Sequence, residues 1–514
     1  MKKLLLTGAL LAVAVFATAC VFIFRHVQVQ NVDPRDNATV TTSVKAHLKD
    51  GSIVTFPEGV MISGRVVRGE GFLYDLTLTQ VKSIREIPLD DVVGMESFRT
   101  MVNGAKSVAV STLATVGGIV GGVALAIAIF GSCPTIYSDD GKVEEAELFS
   151  TSIAPLFESR DVDRLQAQPD ANGTLRLEVR NEAMETHYIN HLQLFEVEHA
   201  SGEFVLPDAQ GAVVAVHDLQ TPAVIADRSG RDIRSAVNAV DERFFETDPA
   251  VIDSATAADM NDWIDFTAPV PAGSSATTLV FRLRNSLLST TLLYDVMLGP
   301  AGARALDWLS QDLAKISTAV ELGRWYQQRA GLHISVWRDG AYREVARVPD
   351  SGPISWHDVA ASIPVLPGES SLRMRLSFVA DHWRIDRIAV APAARPVKPR
   401  VIPIQEIRAS DGHEDREARD NMSAPDERYL QTSPGQRFFV DFNAGPGPAH
   451  EWRTFLLSSQ GYYTEWIRGT WIETASADVP FAPTDESLLV ALKKWSARRD
   501  DFEKRFREAR VPVR

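Results

Sequence analysis

Short segments that alternate apolar and polar residues recur along this chain, each closed by a glycine or an Asp-Gly turn, and they restrict it to a β-rich fold. Leu175-Arg176-Leu177-Glu178-Val179-Arg180 alternates with period two, which puts one set of side chains on each face of a half-buried strand. Residues 192–197, 213–216 and 278–283 read as further strands, and residues 223–225 as a short one. Two alternating runs, residues 332–337 and 342–348, flank Arg338-Asp339-Gly340-Ala341. Asp-Gly in that place predicts a tight hairpin, because both central residues of the favoured turn need positive φ. Residues 371–378, 383–390, 437–442 and 452–458 add four more strands. Helical periodicity is expected over residues 286–298 and 303–329 and near the C terminus. The expected class is α+β, mostly antiparallel β.

The order of these segments predicts an organisation. Residues 25–100, with short strands around Lys49-Asp50-Gly51-Ser52 and Gly64, suggest a small Sm/SH3-like β-barrel. An apolar Gly-rich helix follows over residues 107–131, then a β-rich domain over 132–285 and a helical segment over 286–330. Residues 331–391 read as a β-sandwich. Residues 392–430, rich in Pro, Arg, Asp and Glu, read as a linker or long loop. Residues 431–480 supply strands that complete the C-terminal domain, and residues 487–510 form a closing amphipathic helix.

Residues 1–24 decide the address. Lys2 and Lys3 precede an apolar run, which ends in Ala17-Thr18-Ala19-Cys20. A basic start, an apolar core and small residues before a cysteine make a bacterial lipoprotein signal, with Cys20 as the lipidated residue. Residues 4–24 are also long enough to span a bilayer uncleaved, which takes about 20 residues. Either reading predicts a membrane-anchored protein of the cell envelope, with the bulk of the chain outside the cytoplasm. Residues 107–131 hold no charge and contain Gly117-Gly118-Ile119-Val120-Gly121-Gly122, a spacing that permits close helix contact in lipid. The expected element is a transmembrane-like helix; one full crossing conflicts with the charges on either side, and a helix packed against the membrane or a re-entrant hairpin at the Gly pairs removes the conflict, with a buried Gly/Ala-rich helix as the alternative.

The chain has 514 residues and a net charge of -14, which excludes a nucleic-acid partner, since phosphates demand a basic surface. It has two cysteines. With Cys20 lipidated, Cys133 is a lone thiol, expected to be buried, and disulfides play no part in stability.

No catalytic, cofactor or metal residue is assigned. His187, His191 and His199 cluster, but on a strand residues four apart sit about 13 Å from each other, so they are expected to be surface and edge histidines. Ser201-Gly202 and Ser351-Gly352 lack the nucleophile-elbow pattern. Residues 117–122 lack the Lys-Ser or Lys-Thr of a phosphate loop. Asp262 with Asp265, or Asp381 with Asp386, resemble glycosidase acid pairs, but a chain with 67 acids contains such pairs by chance. Trp337, Trp356, Trp383, Tyr462, Tyr463, Trp466 and Trp471 crowd the C-terminal region. Tyr462, Tyr463 and Trp466 form the candidate binding platform, because adjacent strand residues alternate in facing and would not all be expected inside.

Ser132-Cys133-Pro134-Thr135-Ile136-Tyr137-Ser138-Asp139-Asp140-Gly141-Lys142 carries a Ser-Cys-Pro-x-x-Tyr-Ser-x-Asp-Gly motif. With Asn181-Glu182-Ala183-Met184-Glu185-Thr186-His187-Tyr188-Ile189 and Arg453-Thr454-Phe455-Leu456-Leu457-Ser458-Ser459-Gln460-Gly461-Tyr462-Tyr463, it resembles a group of uncharacterised bacterial envelope lipoproteins. That resemblance implies an envelope address and brings no activity. The expected function is a membrane-tethered, non-enzymatic protein that binds a protein or glycan partner through its C-terminal β region. An envelope hydrolase with a dispersed site and a structural assembly subunit are the alternatives, and the oligomeric state is left open.

Overall fold

The computed structural model describes residues 25–31, 38–41, 44–48, 53–56, 58–74, 81–102, 133–138, 144–302, 305, 308–309, 313, 321–322, 325, 328–426, 428–447, 452–466 and 483–513. Residues 1–24 with Cys20, residues 107–131, Trp471 and most of residues 303–329 lie outside the described residues. Among the described residues no helix is long and apolar enough to cross a membrane. The chain divides into two compact units, residues 1–126 with 154–157 and 306–324, and residues 127–153, 158–305 and 325–514.

The first unit carries an antiparallel half-barrel of eight strands. Val66–Tyr74 is its spine: one edge pairs in turn with Ile53–Phe56 and Val60–Ser63, the other with Val81–Pro88. Val92–Val102 then returns to pair with Val44–Leu48, which bends the sheet round on itself. The core is Val44, Ala46, Val54, Phe56, Ile62, Val67, Ile87 and Met95. Gly71 has no side chain because a Cβ there would lie 2.6 Å from the Phe56 ring. Gly64 and Arg65 both hold positive φ and join Ser63 to Val66 in a two-residue hairpin.

Among the described residues the second unit contains five sheets. The first, in spatial order, is Glu144–Glu147, Thr135–Ser138, Thr174–Arg180, Arg437–Asn443 and Ile404–Ala409. In the second, Trp452–Glu465 lies between Ser159–Arg164 and Glu185–His199, and Glu185–His199 also pairs with Arg400–Ile402 and Leu430–Thr432. A third, three-stranded sheet is Phe204–Pro207, Val213–Val216 and Arg395–Pro396. The fourth is His357–Pro364, Ala276–Asn285 and Trp383–Pro392; the fifth is Ile225–Asp227, Asn261–Pro269, Ser371–Val379, Leu332–Arg338 and Ala341–Val348.

Period-two alternation stacks these layers. The fourth and fifth sheets share one core of Leu279, Phe281 and Ile388 against Ile264, Phe266, Met374 and Ile334, a sandwich-like pair. The three-stranded sheet is apolar on both faces. Val205, Val213 and Ala215 meet Val162, Phe195 and Leu456 of the second sheet. Their neighbours Leu206, Val214 and Val216 meet Val280, Ala360 and Ala389 of the fourth.

Several expectations change. Residues 392–430 are no linker: they supply Arg395–Pro396, Arg400–Ile402, Ile404–Ala409, Leu430–Thr432 and the helix Arg416–Met422. Those strands are short and poor in apolar residues, and part of their anchoring is ionic, with Arg400 on Glu196 and Arg408 on Asp441. Nor do the sheets respect linear segments, since Trp452–Glu465 pairs with Ser159–Arg164 and Glu185–His199. The C-terminal helix is two, Asp485–Ala497 and Arg499–Glu508, broken at Arg498. Thr484 and Ser487 cap the first reciprocally, and it buries Leu488, Ala491, Leu492 and Trp495. The helix expected from residue 286 begins with Leu288–Thr290 and continues in wider turns over Thr291–Leu298.

Candidate functional site

The same alternation that fills the core of the fifth sheet writes a second pattern on its outer face. Ile264 and Phe266 point inward, so Trp263 and Asp265 point out; Leu372, Met374 and Leu376 point inward, so Arg373 and Arg375 point out. Register brings them side by side: Asp265 is opposite Arg375, and Arg375 is opposite Ser335. The Asp339-Gly340 turn, with φ of 51° and 77°, aligns Trp337 with Tyr342.

The result is a ladder of rings and guanidinium groups. Arg228 lies 4.4 Å from the centroid of Trp263. Arg375 lies 4.4 Å from Trp263 and 4.3 Å from Tyr342. Arg373 lies 5.0 Å from Trp337 and 5.6 Å from Tyr342. Trp337 and Tyr342 meet edge to face at 5.1 Å. Each exposed cation–π contact contributes about 0.5–1 kcal/mol, so the rings are held in place before anything binds.

Arg375 donates to both oxygens of Asp265 at 2.8 and 2.7 Å, and that bond raises its pKa. Burial, with the Asp265 charge, raises the Tyr342 phenol. The phenol donates to Asp265 at 3.1 Å and accepts from Arg373 Nε at 3.1 Å. Arg373 is exposed and, among the described residues, has no carboxylate within ion-pair distance. Trp337 is 42% exposed. An unneutralised guanidinium beside two fixed rings can take a carboxylate on its N–H groups while a sugar or aliphatic face lies on the indole.

The platform expected at Tyr462, Tyr463 and Trp466 is buried, with relative exposures of 1%, 0% and 0%. Tyr462 stacks on Tyr188 at 4.7 Å with Tyr429 edge-on. Tyr463 donates to the Ser150 carbonyl and Trp466 to the Thr186 hydroxyl. Their strand is central and covered on both faces, so alternation sends neighbouring side chains into two different interiors. Gly461 makes this fit possible, since a Cβ there would lie 2.4 Å from the Tyr188 carbonyl oxygen. Trp383 is buried as well. Of the aromatics singled out in the sequence, Trp337 is the exposed one among the described residues.

The other candidates are structural. Cys133 is buried and donates to Glu147 at 3.5 Å. Burial, with the Glu147 and Glu185 charges, pushes its thiol well above the usual range, so it stays protonated and a poor nucleophile. Glu147 accepts from the backbone of Ile354 and Ser355 at 2.7 and 3.2 Å, and burial pushes its carboxyl up to about 7. Burial alone would lower His357, but its 2.7 Å bond to Asp163, with the Asp161 and Glu147 charges, raises it to about 9.

His187 is no surface residue: it is fully buried against Glu185 at 2.9 Å, and burial pushes its imidazole down to about 3. His199 bonds Thr454 from the far end of the same 15-residue strand. No group of three or more metal-ligating side chains forms among the described residues. Asp262 is buried while Asp265 belongs to the outer ladder, so that pair sits on opposite faces. Asp381 accepts from Arg384, Trp495 and Arg499, whereas Asp386 sits beside Arg282.

No family model matches this chain, and no curated protein matches it. A GH31 alpha-xylosidase from Xanthomonas citri is similar at 10% identity and a TM-score of 0.16, covering 84% of this chain. The match spans 38% of the xylosidase. A structure of infectious bursal disease virus, Gx strain, is similar at 10% identity and a TM-score of 0.14, over 93% of this chain and 87% of the other. Scores this low carry no inference about fold or activity.

Proposed function

We propose that this chain is a membrane-tethered protein of the bacterial envelope that works by binding, and that a glycan or protein partner bearing carboxylates docks on the ladder around Trp337, Tyr342 and Arg373. The observation that carries the reading is the pairing of an exposed indole with a guanidinium that has no acidic partner among the described residues. Asp265 neutralises Arg375 on the same face, and Arg373, with no acidic partner among the described residues, is the cation on this face that can select an acidic group. Among the residues that looked catalytic, Asp265 is neutralised by Arg375 and Asp381 by Arg384 and Arg499, which favours binding over hydrolysis at those positions. Tethering rests on the basic start, the apolar run and Cys20 and on the resemblance around Ser132-Cys133-Pro134; the net charge of -14 separately disfavours nucleic acid. The half-barrel of the first unit is read as the Sm/SH3-like module beside the membrane.

Two measurements test this. On glycan and peptide arrays, wild-type protein should bind acidic ligands, and Trp337→Ala or Arg373→Gln should weaken binding about tenfold or more. Unchanged binding by both variants would remove the ladder from the reading. Lipid labelling with membrane fractionation should mark the wild type and not Cys20→Ala. An unlabelled wild type that still sediments with membranes would assign the tether to an uncleaved helix, and a wild type free in the cytosol would end the envelope reading.

A further inference from the structure

Three guanidinium groups converge at one end of the fourth sheet, away from the ladder. Asp358, Arg282 and Arg387 lie directly opposite one another across its three strands. They stand two residues beyond the Ala360, Val280 and Ala389 row and share its face. Arg164 reaches the same place from the end of the strand Ser159–Arg164. Phe204 completes it, with Arg164 and Arg387 at 4.6 and 4.7 Å from its ring centroid.

The charges do not balance tightly. Asp358 serves all three arginines, at 3.6 Å from Arg164, 3.3 Å from Arg282 and 3.3 Å from Arg387. Arg282 also reaches Asp386 at 3.6 Å. These contacts are longer than the 2.7 and 2.9 Å that Arg176 makes to Asp441, and longer than charge-assisted bonds generally. One carboxylate cannot orient three forks at once. The Nε groups of Arg164 and Arg387 are buried and find no hydrogen-bond acceptor among the described residues.

Neighbouring acids do not make up the difference. Asp386 is pushed up by burial despite Arg282, with Asp241 adding like charge. Glu145 acts on Arg164 through its charge, and one of its carboxylate oxygens accepts the N–H groups of Gln166 and Ala167. Asp163 is engaged by His357. Burial and mutual repulsion pull Arg164 and Arg387 below the usual guanidinium range.

We propose that Arg164, Arg282 and Arg387 form an oxyanion site that takes a phosphate group, with Phe204 as its apolar wall. A tetrahedral dianion would accept from the guanidinium groups on the side left open, where the Arg164, Arg282 and Arg387 side chains keep 24%, 12% and 17% exposure, and relieve the repulsion among the three cations. Asp358 would keep its bond to Arg282. The same chemistry could be presented by free phosphate or by a phosphomonoester.

The test uses purified full-length protein in detergent, with thermal midpoint followed against inorganic phosphate, against glycerol 3-phosphate, and against sodium chloride at matched ionic strength. A saturable rise with phosphate and none with chloride is expected; a rise with the ester alone would assign the site to an esterified source. Arg164→Gln and Arg387→Gln should shift half-saturation about tenfold, while Val224→Ala at an exposed position leaves it unchanged. No saturable rise with either phosphate compound, or an undiminished one in both variants, overturns the proposal. Should those variants fail to fold, calorimetric titration of Arg164→Lys, which keeps the charge and loses the fork, decides. Weakened binding supports the site and wild-type affinity overturns it.

Discussion

His357 shows how burial and charge trade against each other in a single side chain. Its folded pKa of about 9 lies above the unfolded value of about 6.5. Its contribution is therefore fully present below pH 6.5 and is lost as pH rises through 9, on the order of 2–3 kcal/mol. Glu147, raised to about 7, acts in the same direction: the folded state holds its proton more tightly, so stability falls as pH rises from about 4.5 to 7. His187, lowered to about 3, acts the opposite way and costs stability as pH falls from 6.5 toward 3. These three groups together should hold the melting temperature near its maximum between about pH 4.5 and 6.5 and lower it from there toward pH 9. His357→Gln should flatten the alkaline limb in a series of thermal melts, and a limb of unchanged slope would assign the loss to other groups.

Among the elements, the hairpin at Asp339 and Gly340 was the most legible. Two alternating runs and one dipeptide specify its turn, its register and the meeting of Trp337 with Tyr342. Gly340, with φ of 77°, should cost about 1 kcal/mol when changed to Ala, because a Cβ disfavours that backbone region; denaturant melts would measure it, together with reduced ligand binding on the array. The ladder itself was half legible. Arg373 and Arg375 stand two apart on a recognised strand, which puts them on one face, but nothing local reveals that Trp263 flanks them from a strand 110 residues earlier and Tyr342 from one 31 residues earlier. Tyr462 and Trp466 misled for a related reason: period two identifies the faces of a strand, while the number of buried faces depends on what lies above and below. Residues 395–409 were illegible as strands because ionic anchors replace the apolar alternation that betrays a strand.

For the second unit as a whole, the doubly apolar sheet Phe204–Pro207, Val213–Val216 and Arg395–Pro396 matters most. It belongs to two cores at once, so damage on either side should spread. Val214→Asp and Ala215→Asp insert an unpaired charge into different interiors, each at a cost of about 3 kcal/mol or more. Both variants should lower stability by similar amounts in one shared transition, followed by circular dichroism and tryptophan fluorescence together. Two resolved transitions in either variant would mean that the layers unfold independently.

The strand Trp452–Glu465 lies between partners made some three hundred residues earlier. A polypeptide delivered amino end first thus carries Ser159–Arg164 and Glu185–His199 with open edges until Trp452–Glu465 has emerged. Those edges invite adventitious pairing with other chains in the interval. Such a topology rewards a holding chaperone during synthesis, and completion of the second unit waits on Trp452–Glu465.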